Sequence, residues 1–213
     1  EELQLEDMSE EVYSVSFCSA SSHLGLSVGG ERGLVQHISL DQAGDLKLNT
    51  IKTLHDLGSP VNTIQWSSDG RYLVIAGSTN QVFVYDSETK STSECKGVEI
   101  SSEGLYACIS PDDKTFAVSF KDGTVVIGDL ETKSLSHKVQ IGEIVKGGNN
   151  INQASFDKNG NLYVPGKKHI QRCEKAQGYK ITHIEDIAFS SSIGGILLPT
   201  HQSSDLIVVA VGS

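Results

Sequence analysis

A repeated apolar anchor followed by a polar turn is the feature that most restricts the fold of this 213-residue chain. In each copy, a short apolar run ends in a large side chain and passes directly into a turn rich in Ser, Asp or Gly. The anchors are Phe17, Trp66, Ile109 and Phe156, which lie 49, 43 and 47 residues apart. Further strand-like runs follow each turn, so the chain is predicted to repeat one unit of about 40–45 residues with four short strands.

Within each unit the apolar residues alternate with polar ones, which is the two-residue period of a β-strand. Val61 to Trp66 shows this alternation clearly. Asp69-Gly70, Asp122-Gly123 and Asn159-Gly160 are dipeptides that favour tight turns between antiparallel strands, because they tolerate a positive φ. No stretch of twelve residues has the pattern of an amphipathic helix. The sequence therefore predicts an all-β fold with no helix longer than two turns.

The stretch from His55 to Leu135 resembles the WD-repeat β-propeller family. Residues Ser59–Leu73 are similar to the first strand of a WD repeat and its Ser-x-Asp-Gly turn, and Ser110–Asp113 repeats that turn one unit later. Tyr85-Asp86 and Gly128-Asp129 stand where the family has its Trp-Asp dipeptide. The resemblance implies a β-propeller, a ring of four-stranded antiparallel blades.

The match to the family is good over about residues 55–141, fair over 11–54 and weak beyond 142. The predicted blades lie near residues 11–55, 56–98, 99–141, 146–184 and 185–213, after an acidic tail or linker at residues 1–10. Five units are fewer than the seven blades usual in this family, so the chain is expected to form part of a larger propeller. A ring completed by another chain and a small open β-structure are the alternatives.

The formal net charge of −10 argues against nucleic acid as the main partner, because nucleic-acid-binding surfaces are positive. No run of 18 apolar residues is present, so no transmembrane helix is predicted. The charge reverses between Lys146 and Lys180, where seven basic residues stand against two acidic ones. This segment is interpreted either as a solvated face or as a surface for an anionic partner such as an acidic peptide, a phosphoinositide or RNA.

No residues have the spacing of a catalytic or metal-binding motif. The four cysteines form no CxxC pair, and Cys18 and Cys108 fall in strand-like runs, which favours free thiols in a reducing, intracellular compartment, cytoplasm or nucleus. The cluster Gly29–Gly33 does not match a phosphate-binding loop, and the histidines form no ligand pair. We therefore predict no metal, no cofactor and no enzymatic activity. An enzyme with its site in the central channel is the alternative.

The resemblance also implies roles for individual residues. Those expected in the hydrogen-bonded network that stabilises WD blades are His55, Trp66, Tyr85, Asp86, Asp122 and Asp129. Those expected in partner-binding loops on one face of the disc are Arg32, His55, Asn80, Lys121, Asp122, Lys167 and Lys168. Arg32 is the expected anchor, because arginine is enriched at interface hot spots. The predicted function is a non-catalytic scaffold for protein–protein interaction, a WD-repeat subunit of an intracellular multiprotein complex that binds other proteins or peptides.

Overall fold

The computed structural model describes residues 11–20, 24–40, 48–141, 153–165, 169–186, 193–197 and 208–211. These residues form eighteen β-strands and one short 3₁₀ helix, Lys175–Gln177, with no α-helix among them. The prediction of an all-β fold without a helix longer than two turns is confirmed for the described residues. The predicted acidic tail at residues 1–10 lies outside them.

The strands form four antiparallel sheets of four strands and one sheet of two strands, in chain order. The first sheet contains β1 (Val12–Cys18), β2 (Gly25–Gly30), β3 (Leu34–Leu40) and β4 (Leu48–Asp56). The second contains β5 (Val61–Trp66), β6 (Tyr72–Gly77), β7 (Val82–Asp86) and β8 (Ser91–Glu94). The third contains β9 (Gly104–Ile109), β10 (Thr115–Phe120), β11 (Thr124–Asp129) and β12 (Ser134–Gln140). The fourth contains β13 (Ser155–Phe156), β14 (Leu162–Pro165), β15 (His169–Glu174) and β16 (Lys180–Asp186), and β17 (Ile193–Leu197) pairs with β18 (Val208–Val211). The prediction of four-stranded antiparallel units is thus confirmed.

Strand β6 is buried on both faces because the second sheet lies between the first and the third. Leu73 and Ile75 pack in the core shared with the first sheet. Tyr72, Val74 and Ala76 point the other way, into the core shared with the third sheet. A strand covered on both faces has no need of a polar face, which explains the continuous apolar run from Tyr72 to Ala76.

Trp66 and Tyr85 are both buried, and each is 4% exposed. Both lie in the core between the first two sheets, with Cys18 and Val35 of the first sheet opposite them. Their rings meet edge to face, with centroids 6.2 Å apart. A second aromatic contact of this kind joins the third and fourth sheets through His137 and Tyr179.

The first strands of successive sheets lie side by side, and hydroxyl groups connect them. Ser16 Oγ of β1 accepts a hydrogen bond from the Trp66 N–H of β5 at 3.0 Å. Thr63 Oγ1 of β5 accepts one from the Ala107 N–H of β9 at 3.0 Å. β5 and β9 are edge strands, and these N–H groups lie on the side that has no neighbouring strand in the sheet. The hydroxyls therefore satisfy buried backbone donors that strand pairing leaves without a partner.

The turn between the third and fourth strands recurs almost residue for residue in the second and third sheets. Its sequences are Asp86-Ser-Glu-Thr-Lys-Ser91 and Asp129-Leu-Glu-Thr-Lys-Ser134. Asp86 Oδ1 accepts a hydrogen bond from the Thr89 N–H at 3.3 Å, and Asp129 Oδ1 accepts one from the Thr132 N–H at 2.8 Å. The lysine of each turn has φ of 54°. The repeat therefore extends to the backbone conformation and the capping bonds of the turn.

Candidate interaction surface

Alternate connections of an antiparallel sheet lie at the same end of its strands, so the sheets have two edges of loops. The first set of loops, which we call the upper edge, consists of the turns at 31–33, 78–81 and 121–123 and the connections at 57–60 and 95–103. We call lower edge the opposite one, with the turns at 67–71, 86–91, 110–114, 129–134 and 157–161. The expected partner-binding residues that the structure describes lie at the upper edge, apart from His55, which precedes it at the end of β4.

Hydrogen bonds hold the upper-edge turn of the third sheet. Asp122 Oδ1 accepts hydrogen bonds from the Thr124 hydroxyl at 2.7 Å and from its N–H at 3.0 Å. Desolvation opposes ionisation of Asp122, but these bonds and one from Ser101 Oγ outweigh it and lower the pKa of the carboxyl. The Asp122 N–H donates to Ser102 Oγ at 3.1 Å. Asp122 therefore acts as a turn cap that also ties the turn to the connection before β9.

Two other expected contact residues are engaged with that same connection. Lys121 Nζ lies 3.2 Å from both carboxylate oxygens of Glu103. Asn80 Nδ2 donates to the Ile100 carbonyl at 3.4 Å. Arg32 is exposed in the turn between β2 and β3. The structure thus gathers Asn80, Lys121 and Asp122 around one connection, while Lys167 and Lys168 lie outside the described residues.

The exposed or half-exposed charges of the upper edge are of both signs, with acids in excess. The acidic side chains are Glu11, Glu31, Asp56, Glu99, Glu103 and Asp122, and the basic ones are Arg32, Lys96 and Lys121. The Lys121–Glu103 pair leaves the net charge of this edge unchanged, and carboxylates predominate among its other charged groups.

His55 does not form the expected hydrogen-bonded network. Its Nε2 is buried and has no hydrogen-bond partner among the described residues. Its ring packs against Phe83 instead, with centroids 4.7 Å apart. Burial lowers the pKa of His55, and the nearby Asp56 carboxylate opposes this only in part. The network expectation fails here because His55 lies on β4, where its ring meets an apolar side chain of the next sheet.

The hydrogen-bonded network around Trp66 is built from the first sheet. The indole Nε1–H of Trp66 donates to Ser27 Oγ at 2.9 Å, and Ser27 Oγ is 2.9 Å from His37 Nδ1. Ser27 and His37 face each other across β2 and β3. A Cβ on Gly25 would lie 2.8 Å from the His37 ring, so glycine leaves the room that the ring occupies. In the sequence, this network is indicated by Ser27 and His37, two polar residues at inward-facing positions of otherwise apolar strands.

Asp86 and Asp129, also expected in the network, cap their own turns. Asp86 is 4% exposed and additionally accepts a salt bridge from Lys133 at 3.5 Å, which joins the turn of the second sheet to that of the third. No bond connects either carboxylate to His55 within the described part of the chain. Their role is to fix turns rather than to orient a histidine.

Protonation of His55 is expected to destabilise the protein. The folded state holds the pKa of His55 below the ordinary value of 6.5, so the unfolded chain takes up the proton first as the pH falls. The contribution of neutral His55 to the stability of the folded state is fully present above pH 6.5. It is lost as the pH falls through the pKa that His55 has in the folded protein. Urea unfolding of wild type and His55→Phe at pH values of about 8 and 5.5 measures this. The free energy of unfolding of wild type, relative to that of His55→Phe, should be smaller at the lower pH. An equal fall for the two proteins would contradict a lowered pKa for His55.

The basic segment at residues 146–180 is only partly described, because Lys146, Lys167 and Lys168 lie outside the described residues. Arg172 pairs with Glu174 at 3.4 Å and lies over the Tyr163 ring at 5.9 Å. Lys175 pairs with Asp112 of the third sheet at 3.0 Å. Two of its cations are therefore engaged in ion pairs within the protein, and one of these pairs links neighbouring sheets.

The family model of the WD domain, G-beta repeat, matches residues 48–86. This stretch runs from β4, the last strand of the first sheet, to the end of β7 in the second. These residues match one WD repeat. The matched stretch is offset by one strand from the sheet, so it covalently joins the first sheet to the second. No curated protein matches the chain.

No group of three or more His, Cys, Asp or Glu side chains that could hold a metal ion occurs among the residues that the structure describes. Nor does the described part contain a helix that is long and apolar enough to cross a membrane. The geometry of the upper edge is that of loops held in place by side-chain bonds.

Proposed function

We propose that this protein is a non-catalytic interaction scaffold, a WD-repeat subunit of an intracellular multiprotein complex that binds other proteins or peptides. The observation that carries the proposal is the network that holds the upper edge. Lys121, Asn80 and Asp122 each bond to residues of the 100–103 connection, so these loops are ordered before a partner arrives. A preordered surface loses less conformational entropy on binding, which favours affinity. WD repeats in general serve as protein-interaction scaffolds.

An intracellular location is supported by the state of the cysteines. Cys18, Cys95, Cys108 and Cys173 are all free and buried. Burial raises the pKa of the Cys95 and Cys108 thiols to about 12, so they stay protonated and unreactive. Free thiols that serve as small apolar core residues are typical of proteins in reducing compartments.

The charge of the upper edge indicates what the partner presents. With Lys121 held by Glu103, the groups available to a partner are mostly the carboxylates of Glu31, Asp56 and Glu99. We therefore expect a partner segment with more basic than acidic residues, in which one carboxylate pairs with Arg32. Opposite potentials steer association and restrict the choice of partner.

The test of this surface is recovery of partners by variants of the full chain. Arg32→Ala should weaken recovery, because it removes the cation expected to pair with a partner carboxylate. Lys121→Glu should also weaken recovery, because it replaces the ion pair with Glu103 by a repulsion and so disturbs the order of the 100–103 connection, which outweighs the added attraction for a basic segment. Lys114→Ala, an exposed change at the lower edge, is the matched control and should leave recovery unchanged. All three variants should melt within a few degrees of wild type, since exposed substitutions change stability by about 0.5 kcal/mol or less. Equal recovery of every partner by wild type and both upper-edge variants would reject the surface.

A second partner contact is proposed at the outer face of the first sheet. Val15 and Phe17 of β1 are each 54% exposed, whereas Ile64 and Trp66, their counterparts in β5, are 2% and 4% exposed. Ile64 and Trp66 are covered by the first sheet. We therefore propose that a further blade, in the same polypeptide or on another chain, covers Val15 and Phe17.

A photo-crosslinking residue at position 17 of the natural protein tests this contact. The expected product joins position 17 to a peptide outside residues 11–186, and its mass shows whether that peptide belongs to the same chain. A residue introduced at the exposed Lys158 position is the control. Crosslinks from position 17 confined to residues 11–186 would contradict a further blade.

A further inference from the structure

The lower edge contains a bridge between the turns of the second and third sheets. Asp113 Oδ1 accepts a hydrogen bond from the Ser68 N–H at 2.9 Å, and Asp113 Oδ2 accepts one from the Asp69 N–H at 3.0 Å. The Ser68 hydroxyl donates a third bond to Oδ2. Asp113 adopts a left-handed backbone with φ of 51°. The bridge holds one carboxylate at a defined place between two sheets.

A cleft of about 330 Å³ opens beside this carboxylate, where the ends of β1, β5 and β9 meet. Its lining residues are Phe17, Ser19, Gln65, Trp66, Ser67, Ser68, Cys108, Ile109, Ser110, Pro111 and Asp113. Phe17, Ile109 and Pro111 give it apolar walls, and serine hydroxyls give it acceptors. The volume is at the lower end of the range for ligand sites, which suits a side chain rather than a large molecule.

The charge of the cleft is unbalanced. Asp113 is the single charged residue among those that line it. No ion pair involves Asp113 in the described ranges of the chain. A carboxylate offers about four acceptor sites, and the neighbouring turn uses three of them. One acceptor site and an uncompensated negative charge therefore remain beside apolar walls.

We propose that this cleft binds the side chain of a lysine presented by a partner protein. The four-carbon stem of lysine would contact Phe17, Ile109 and Pro111 while the ammonium bonds to Asp113. The Ser67 and Ser110 hydroxyls already accept backbone N–H groups, so the other two N–H donors of the ammonium would bond to the Ser19 and Ser68 hydroxyls or to water. A guanidinium fits less well, because its fork calls for two free acceptor sites on one carboxylate. The site lies at the edge opposite to the proposed upper-edge surface and does not depend on it. It shares Phe17 with the outer face of the first sheet, so where a further blade covers that ring, Ile109 and Pro111 supply the apolar walls.

The probe is the capped peptide acetyl-Gly-Lys-Gly-amide, compared with the norleucine peptide, which has the same stem without the ammonium. Trp66 is the single tryptophan of the chain and lines the cleft, so its fluorescence reports occupancy. The Ser68 amide resonance reports directly on the carboxylate to which it donates. Such a small contact should give a dissociation constant of about 1–10 mM.

The substitution Asp113→Asn removes the charge and keeps the left-handed backbone, because Asn adopts a positive φ readily. Its single amide oxygen still accepts one of the two backbone N–H groups of the bridge, so the norleucine peptide is the test that leaves the bridge intact. We expect Asp113→Asn to weaken binding of the lysine peptide about tenfold, the effect of one charge-assisted bond. Glu131→Gln, an exposed change on the same edge, is the control and should bind as wild type does. The norleucine peptide should bind at least about tenfold more weakly to wild type. Equal binding of both peptides, equal binding by Asp113→Asn, or no saturable change with the lysine peptide would each overturn the proposal.

Discussion

Replacing Trp66 by alanine is expected to lower the free energy of unfolding by about 3–5 kcal/mol. The side chain is 4% exposed and fills the core between the first two blades. Its removal leaves a cavity that neighbours on two rigid sheets fill only in part. It also removes the indole N–H donor from Ser27 Oγ, which is itself fully buried.

Urea unfolding followed by circular dichroism measures this change, because the variant has no tryptophan to report by fluorescence. Trp66→Phe is the matched control, since it keeps a ring in the core and loses chiefly the hydrogen bond. It should cost about 1–2 kcal/mol. A midpoint for Trp66→Ala close to that of wild type would contradict the packing of the first two blades.

Replacing Phe116 by alanine should destabilise the protein by a similar amount, about 3–5 kcal/mol. Phe116 is fully buried in the core between the second and third blades, among Val74, Val84 and Leu135. Its ring lies over Gly128, which faces it across β10 and β11. A Cβ at position 128 would be 2.4 Å from Phe116 Cζ, so glycine there is required by the ring.

The pair makes a sharper prediction than either residue alone. Gly128→Ala should destabilise wild type, because its methyl group collides with the Phe116 ring and lies 2.7 Å from the Ser134 carbonyl oxygen. In the Phe116→Ala background the first collision is absent, so the same change should cost clearly less. A double-mutant cycle measured by urea unfolding gives this coupling. Additive effects would show that Gly128 does not accommodate the ring.

The all-β architecture could be predicted because its signals are local. The alternation of Val61 to Trp66 and the Asp-Gly turns are read directly from neighbouring residues. Strand β5 forms over Val61–Trp66, Asp69-Gly70 lies between β5 and β6, and Asp122-Gly123 lies between β10 and β11. The recurrence of a large apolar residue at the end of a strand in each unit agrees with the burial of Trp66 and Phe156, whereas Phe17, the equivalent residue of the first unit, is 54% exposed because no described sheet covers it. Local backbone preference and the period of a strand are sufficient for these predictions.

The histidine of the network around Trp66 is not the one that the family resemblance named. The resemblance implied His55, whereas the groups that bond around Trp66 are Ser27 and His37, up to 39 residues from Trp66 in the sequence. Alternation shows that a residue points inward, but not which residue of the next sheet it meets. That depends on how one blade is rotated and shifted against its neighbour.

The turn residues of the upper and lower edges show the same division between what is local and what depends on neighbouring sheets. The sequence by itself determined that Lys121, Asp122 and Asp113 lie in exposed turns, because Gly, Asp and Pro stop strands at those points. Only the tertiary structure decided that Lys121 is paired with Glu103. It also decided that Asp113 bonds to Ser68 of the preceding blade and lies beside a cleft. The physical reason is range: strand period and turn preference act over a few residues, whereas the partner of a charged side chain is set by the stacking of separate sheets.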